Sequence, residues 1–290
     1  MSLKVTLAVL FFCSLLVAFA IRPEAERTAR PGAISNYSDN QNEKRLRLLS
    51  WNIGNGDLES ETRAHMEDLP DVARVILRND PDAVALQELS GEDQLKFLLK
   101  QLGHHYRGFV NSSGSGDRVE ALIVRVEPVA ADDGARNVAF DNFPAGGRFA
   151  AAATFRLHKN WPEIVVLSVH ADAFNASARR ALVGDVVDWS RSRGNNKIVF
   201  IAGDFNLEVG TRNRNNLFTN DAKHDSESYA YLLKYFADLG RAAGQTSVNE
   251  RRIDYVFGPA SGVSLRHAEV LRDAAVGHMD HWPLLVEVGL

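Results

Sequence analysis

The chain has 290 residues, of which 45% are hydrophobic and 24% are charged. This is an ordinary globular composition, which excludes a collagen-like, low-complexity or wholly disordered protein. The net charge of −4 excludes a basic surface over the whole protein, although a local basic groove for nucleic acid stays open. Cys13 is the only cysteine, so the sequence offers no disulfide framework, zinc–thiolate site or cysteine nucleophile.

Residues 1–20 have the pattern of a secretory signal peptide. Lys4 precedes an uncharged stretch from Val5 to Ile21, and Ala18 and Ala20 provide the small residues of a cleavage site. The stretch falls short of the roughly 20 residues that span a bilayer, which favours cleavage over an N-terminal membrane anchor. The polar residues 21–45 predict a flexible linker. We therefore expect residues 46–290 to be secreted, periplasmic or otherwise outside the cytoplasm.

The remainder of the chain, 46–290, predicts one α/β domain. Apolar runs predict short strands at 46–52, 83–86, 120–126, 149–157, 164–169, 198–202, 253–257 and 284–288. Helical spacing from Val72 to Ile76, with Pro70 just ahead, predicts a helix between the first two strands. Neither an internal repeat nor a Gly/Ser-rich linker divides this part of the chain, so we expect a single domain.

A second helix is predicted over 177–191, between the strands at 164–169 and 198–202. Leu182 and Val186 lie on its apolar face. We expect Arg179, Arg180 and Arg191 on its opposite face, in solvent rather than in a phosphate-binding patch.

Polar side chains recur at the ends of the predicted strands. Five of them lie at or just past the C-terminal end of an apolar run: Asn52, Glu88, His170, Asp204 and Asn206. Asp280 and His281 precede the last run. Because a buried sheet holds its strand ends rigidly, we expect these side chains to meet in one cleft.

Several of these residues are suited to a divalent cation. Glu88 and Asn52 offer oxygen ligands of the type that Mg²⁺ binds. Taken singly, Glu88 also fits a solvated carboxylate after a strand, and Asn52 fits a turn ahead of Gly54 and Gly56.

The sharpest local signal is the sequence GDFN at 203–206, directly after a buried strand. A glycine at 203 allows a tight turn, so that Asp204 and Asn206 point into one cleft while Phe205 turns inward. The alternative is an ordinary Asp/Asn turn.

Two histidines are candidates for proton transfer or phosphate contact. A carboxylate beside a histidine fixes its tautomer and raises its basicity. Asp254, a polar residue within a predicted strand, is a candidate partner for one histidine, and Glu120 for the other. Either His170 or His281 also fits a hydrogen-bonded residue at a strand end or in a loop.

Other catalytic classes fit poorly. The sequence has no Gly-x-Ser-x-Gly elbow and no Walker phosphate loop. A glycosidase with paired carboxylates would leave the asparagines and histidines unexplained.

In this order the motifs resemble the endonuclease/exonuclease/phosphatase superfamily of magnesium-dependent phosphoesterases. They are LSWN at 49–52, PDAVALQE at 81–88, SVH at 168–170, GDFN at 203–206, IDY at 253–255 and DHWP at 280–283. The resemblance covers 46–290 and implies a four-layer α/β sandwich, in which two mainly antiparallel sheets pack face to face between flanking helices.

The resemblance also implies a cofactor and its ligands. Asn52 and Glu88 match the metal-binding positions of the family, with Asp280 helping to hold the ion. The implied ion is Mg²⁺, with Mn²⁺ as the alternative, and no organic cofactor is expected.

Catalytic roles follow from the same resemblance. Asp204 and Asn206 match the pair that orients the attacking water and the phosphate, and His170 matches a histidine that hydrogen-bonds a phosphate oxygen. Asp254 and His281 match the carboxylate–histidine pair. His281 is the leading general base, and Asp204 is its rival.

The sequence departs from the family pattern in places that bear on the substrate. Met279 replaces the usual serine before Asp280, and IGNG at 53–56 replaces the run found in abasic-site repair enzymes. The segment RVEALIVR at 118–125, and Ala171 after His170, resemble the secreted deoxyribonuclease branch, whose disulfides this chain lacks.

We therefore expect an exported, monomeric phosphodiester hydrolase with DNA or RNA as the favoured substrate. Two alternatives stay open: a phospholipid or sphingomyelin phosphodiesterase or phosphatase of the same fold, and a catalytically silent extracellular binding module. The sequence does not choose among substrates, because specificity lies in loops around a shared phosphate site.

Overall fold

A computed structural model describes residues 44–56, 64–111, 119–126, 138–158, 160–193, 197–210, 221–248 and 250–290. The predicted signal peptide or anchor lies outside these residues. So does the predicted linker, apart from Lys44 and Arg45, and Arg45 already begins the first strand. Of the helices within the described ranges, none is both long enough and apolar enough to cross a membrane.

The described residues form twelve β-strands and four α-helices. In chain order they are β1 (Arg45–Asn52), α1 (Leu69–Asn79), β2 (Ala83–Leu89), α2 (Glu92–Leu102), β3 (Tyr106–Val110), β4 (Val119–Arg125), β5 (Ala139–Ala145), β6 (Arg148–Phe155), β7 (Glu163–His170), α3 (Ala176–Arg193), β8 (Lys197–Asp204), α4 (Ala222–Leu232), β9 (Phe236–Asp238), β10 (Asp254–Pro259), β11 (Ser264–Val270) and β12 (Leu284–Gly289).

The strands form two six-stranded sheets with similar topology. The first sheet has the order β11-β12-β1-β2-β4-β3, and the second has the order β5-β6-β7-β8-β10-β9. Each sheet contains one parallel pair, β1 with β2 and β7 with β8, and its other pairs are antiparallel. Each parallel pair is joined through a helix, α1 or α3, because a parallel connection needs a crossover.

Three apolar cores separate the four layers of the fold. Alternate residues of β1 face opposite sides, so that Leu49 and Trp51 pack in the core under α1 and α2, whereas Leu48 packs between the two sheets. A third core joins the second sheet to α3 and α4, with Val186 and Phe257 among its members. The predicted four-layer α/β sandwich is confirmed.

One prediction about α3 was wrong. Arg180 and Arg191 are exposed, as expected, but Arg179 is buried with a relative exposure of 1%. One of its partners is Asp225 on α4, 46 positions away, which the spacing of residues within α3 does not reveal.

Gly203, next to the end of β8, is required by the packing of β7 on β8. Its φ of +146° is unfavourable for other residues, and an added Cβ would overlap the carbonyl oxygen of Val169 on the paired strand. We expect Gly203→Ala to lower the free energy of unfolding by about 3 kcal/mol, measured by urea denaturation.

Gly184 within α3 is the matched control for this substitution. An added Cβ at Gly184 meets open space, so Gly184→Ala is expected to raise stability by about 0.5–1 kcal/mol through helix propensity. Equal effects of the two substitutions would contradict the proposed close contact at Gly203.

Candidate active site

Strand register brings three of the predicted site residues side by side in the second sheet. His170 at the end of β7 is paired with Asp204 at the end of β8, and Asp254 at the start of β10 is paired with Asp204 from the other side. All three side chains are buried. In the first sheet, parallel pairing aligns Asn52 with the residue before Glu88.

The GDFN segment makes a tight turn that directs its polar residues to one side. Asn206 has a φ of +49°, its backbone N–H donates to Asp204 Oδ1 at 2.9 Å, and its side chain donates to the carbonyl of Ala171 at 3.1 Å. Phe205 is fully buried and packs edge-on against Tyr255. The Asx turn and the apolar anchor together hold Asp204 toward the cleft.

One oxygen of Asp204 is the centre of the site. Asn52 Nδ2 donates to Asp204 Oδ2 at 3.1 Å, and His170 Nε2 lies 3.6 Å from it. His281 Nε2 lies 3.9 Å from the same oxygen. Glu88 joins the group from the first sheet, since its Oε1 lies 3.1 Å from Asn52 Nδ2 and 3.5 Å from His170 Nε2.

Glu88 reaches the cleft through a distorted end of β2. Its φ is +63°, in the left-handed region that costs a non-glycine residue about 1–2 kcal/mol, and the register with β4 shifts between Leu86 and Leu89. Its backbone carbonyl accepts a hydrogen bond from the N–H of Ala64 at 3.0 Å. Unfavourable backbone conformations of this kind cluster at functional sites.

Asn52 presents its amide nitrogen, rather than its oxygen, to the two carboxylates. The orientation follows from Gly54, whose backbone N–H donates to Asn52 Oδ1 at 2.9 Å. Asn52 therefore bridges Glu88 and Asp204 as a donor. To offer its oxygen to a cation at this point, as predicted, the amide has to turn about its last side-chain torsion.

His281 forms a buried pair with Asp254. His281 Nδ1 donates to Asp254 Oδ2 at 2.8 Å, which leaves Nε2 facing Asp204 and Asp280. Burial by itself lowers the pKa of His281, but the carboxylate of Asp254 outweighs it and the net pKa is raised. Burial, followed by repulsion from Asp254, raises the pKa of Asp204.

Asp280 lies at the open side of the cleft, with 26% of its side chain exposed. Its loop is held against the chain after β1, where the N–H of Gly56 donates to the carbonyl of His278 at 3.0 Å. An added Cβ at Gly56 would collide with Asp280, so the glycine allows the close approach. Asp280 Oδ1 lies 3.8 Å from His281 Nε2.

The described residues gather two sets of potential cation ligands around Asp204. Asp204, Asp254 and His281 each offer a ligand atom within 4.8 Å of the others. Glu88 adds a further carboxylate, which is joined to Asp204 through the shared amide of Asn52. The carboxylate oxygens of these sets suit a hard divalent ion.

Glu120 is buried near the cleft, but its partner differs from the one predicted. Its carboxylate accepts a hydrogen bond from Asn111 rather than from a histidine, and its backbone N–H donates to Asn111 Oδ1. Burial raises the pKa of Glu120 to about 7. The partner of His170 Nδ1 is Arg148, at 3.1 Å.

Arg148 and Asn111 are the site residues that sequence reasoning missed. Because an arginine only donates, its contact with Nδ1 leaves the ring proton of neutral His170 on Nε2, which faces Glu88 and Asp204. Both missed residues flank predicted or observed strands, Arg148 at the first position of β6 and Asn111 just after β3. Their position at strand ends was the sequence signal that could have marked both as candidate site residues.

The fold and the cleft define a class of protein: a two-sheet α/β sandwich with buried acidic, amide and imidazole groups at the strand ends. The model of the endonuclease/exonuclease/phosphatase family matches residues 49–281. The chain belongs to this family. No curated protein sequence is similar enough to the chain to count as a match.

Solved structures have the same fold. A family member from Bacteroides thetaiotaomicron has a TM-score of 0.63 at 18% identity, covering 86% of this chain and 98% of its own. A mannosyl-6-phosphatase from the same organism has a TM-score of 0.61 at 20% identity, covering 84% of this chain and 99% of its own. The human nocturnin catalytic domain, solved with a bound sulfate anion, has a TM-score of 0.61 at 18% identity, covering 84% and 93%.

The raised pKa of Glu120 generates a pH-dependent prediction. Relative to the ordinary glutamate pKa of 4.5, a folded-state pKa of about 7 means that the folded protein holds a proton that the unfolded chain releases. The contribution of Glu120 to stability therefore falls as pH rises from about 4.5 to about 7. We expect Glu120→Gln to gain stability over the wild type across this window, on the order of 3 kcal/mol.

The measurement is urea denaturation of both proteins at pH 4.5, 6 and 7.5. The difference between them, rather than either curve alone, isolates Glu120 from the other titrating groups. A difference that stays constant over this pH range would contradict the raised pKa.

Proposed function

We propose that this protein is a divalent-cation-dependent phosphodiester hydrolase that acts on nucleic acid outside the cytoplasm. The observation that carries the proposal is the convergence on Asp204 Oδ2, which lies within 3.1–3.9 Å of Asn52, His170 and His281. Glu88 Oε1 lies 3.5 Å from the Nε2 atom of His170, and Asp280 Oδ1 lies 3.8 Å from the Nε2 atom of His281. A silent binding module has no need to bury so many ionisable groups together, because their burial costs stability.

The residues present fit a hard divalent cation. Glu88, Asp204 and Asp254 bury three carboxylates close together, and Asp254 Oδ1 has no hydrogen-bond partner within the described residues. A cation relieves this accumulation of negative charge. We propose that Glu88 and Asp280 hold Mg²⁺ or Mn²⁺, with Asn52 in support, and that Asp204 lies beside the ion rather than binding it. When bound, such an ion neutralises charge that develops on phosphoryl oxygens.

The pKa directions support a specific division of labour between Asp204 and His281. A carboxyl with a raised pKa is a stronger base, which favours Asp204 as the group that accepts the proton of the attacking water. A histidine with a raised pKa keeps its proton near neutral pH, which favours His281 as a donor to the phosphate. We therefore propose Asp204, rather than His281, as the general base.

Two further residues act on the phosphate in this proposal. His170 directs Nε2 toward the cleft because Arg148 occupies its other ring nitrogen, so it is placed to donate to a phosphoryl oxygen. Asn206, fixed by the Ala171 carbonyl, orients the attacking water together with Asp204. The sulfate bound by the nocturnin domain is a tetrahedral oxyanion of the same shape as phosphate.

Nucleic acid is the proposed substrate because of the resemblance of 118–125, and of Ala171 after His170, to secreted deoxyribonucleases. The second candidate is a sugar phosphate, since one of the similar structures is a mannosyl-6-phosphatase. Export by residues 1–20 is part of the proposal. Intact mass of the protein recovered from the host periplasm or medium tests it, with cleavage after Ala20 as the expected result.

A substrate panel tests the function. We expect the purified protein to nick supercoiled plasmid with Mg²⁺, to lose activity in EDTA, and to act less well on mannose 6-phosphate and sphingomyelin vesicles. Glu88→Gln is expected to lower the rate by at least about 10²-fold through loss of a ligand. Glu227→Gln, an exposed glutamate on α4, is the control with the same change of charge.

Activity on mannose 6-phosphate alone would move the function to a phosphatase. Activity on none of the phosphoesters, with either ion, would refute the proposed function. Equal rates for Glu88→Gln and Glu227→Gln would refute the role of Glu88.

The general-base assignment has its own test. We expect Asp204→Asn to lower kcat by about 10²–10⁴-fold, because loss of a positioned acid or base typically has this effect. Its melting temperature is expected to stay the same or to rise, since the buried carboxyl destabilises the fold. Loss of activity in parallel with loss of the folded state, followed by circular dichroism, would contradict the assignment.

A further inference from the structure

Arg179 on α3 makes a buried ion pair with Asp225 on α4. Arg179 Nε donates to Asp225 Oδ1 at 2.8 Å, and the side chains of the two residues are 1% and 2% exposed. The neighbouring Arg180 is exposed and pairs with Glu227 at 3.7 Å. Two consecutive arginines on one helix therefore have opposite environments. We call the Arg179–Asp225 pair, with its hydrogen bonds to backbone, the clamp.

The arginine of the clamp holds the loop that follows His170. Arg179 Nη1 donates to the backbone carbonyls of Asp172 and Ala173, both at 3.1 Å. The loop is closed internally, since Asp172 Oδ1 accepts the N–H groups of residues 174 and 175 at 2.8 Å. It is also joined to the site, because the Ala171 carbonyl accepts the side chain of Asn206.

The aspartate of the clamp holds the segment that follows Asn206. Asp225 Oδ2 accepts the backbone N–H of Glu208 at 3.4 Å. The N–H of Ala171 donates to the Asp204 carbonyl at 2.8 Å, so the two held segments are also bonded to each other. The clamp thus lies behind the strand ends that carry His170, Asp204 and Asn206.

A buried ion pair is weak evidence for stabilisation, because desolvation offsets its Coulomb energy, and specificity of structure is one alternative use. We propose that Arg179 and Asp225 are positioning residues, which set the geometry of His170, Asp204 and Asn206 for phosphoester hydrolysis. The inference rests on the proposed function. Within the described residues, the hydrogen bonds of this pair go to the two held segments rather than to the cluster around Asp204 Oδ2, so its effect passes through those segments.

The geometry requires an arginine rather than any cation. The guanidinium group donates in several directions within one plane and reaches the Asp225 carboxylate and two carbonyls together. A lysine retains the charge but presents a single ammonium group. Arg179→Lys therefore separates positioning from charge neutralisation. Asp225→Asn keeps the shape and removes the nearer of the two carboxylates that the arginine meets, the other being Asp221 at 3.5 Å.

The test uses the full chain with Arg179→Lys and Asp225→Asn, and Arg180→Met as the matched control on the exposed face. Steady-state kinetics on bis-p-nitrophenyl phosphate with Mg²⁺ give kcat and KM separately. Hydrogen–deuterium exchange reports on residues 171–175 and 205–208, and thermal melting reports on the fold.

We expect both clamp variants to remain folded, to lower kcat by at least about tenfold with KM changed less than about threefold, and to exchange faster in these two segments. Arg180→Met is expected to change none of these values. If one clamp variant does not fold, the other decides the outcome.

Two results would overturn the inference. One is a kcat within twofold of wild type in a folded clamp variant. The other is a loss of kcat with unchanged exchange in both segments. If the wild type hydrolyses no phosphoester at all, the proposed function and the catalytic part of the inference both fail. Unchanged exchange in active variants refutes the clamp alone.

Discussion

The accumulation of buried carboxylates around Asp204 is the constraint on which the rest of the structure depends. Asp204, Asp254 and Glu88 come from three strands in two different sheets and are all at most 9% exposed. Like charges brought together out of water repel strongly, so the fold has to supply compensating groups. The imidazole of His281 and the amide of Asn52 are two such groups. The divalent cation of the proposed function would supply further positive charge against these carboxylates.

The two-sheet architecture sets the distance between the halves of the site. One parallel pair brings Asn52 and Glu88 to its end of the first sheet, and the other brings His170 and Asp204 to the facing end of the second. Trp51 and His281 link the two halves in sequence: Trp51 Nε1 donates to the backbone carbonyl of His281 at 3.1 Å, and the His281 side chain donates to Asp254 of the second sheet at 2.8 Å. A second link between the sheets is a hydrogen bond from Gln87 Nε2 of β2 to Ser168 Oγ of β7, at 2.9 Å.

How far the sequence predicts this site depends on whether a residue is defined locally. Apolar runs and the polar residues at their ends lie within a few positions, so eight of the twelve described strands and the convergence near Asp204 were accessible, whereas the sandwich followed from the family resemblance. Arg179 was predicted wrongly because its burial depends on tertiary partners, among them Asp225, 46 positions away, which the pattern of the helix does not show. The pairing of Arg148 with His170 depends on a contact between separate strands, which no local pattern encodes. The same holds for Glu120, whose partner is Asn111 instead of the predicted histidine.

The outer helices contribute to the site as well as to the cores. On the first sheet, Gln94 of α2 donates to the carbonyl of Ala64 at 2.6 Å, and the N–H of Ala64 donates to the carbonyl of Glu88. On the second sheet, α3 and α4 reach the strand ends through Arg179 and Asp225. On the first sheet, the neutral amide of Gln94 holds one carbonyl. On the second sheet, two carbonyls and one backbone N–H are held together, and this uses both members of the Arg179–Asp225 ion pair. Each helical layer therefore orients the half of the site that lies on its own sheet.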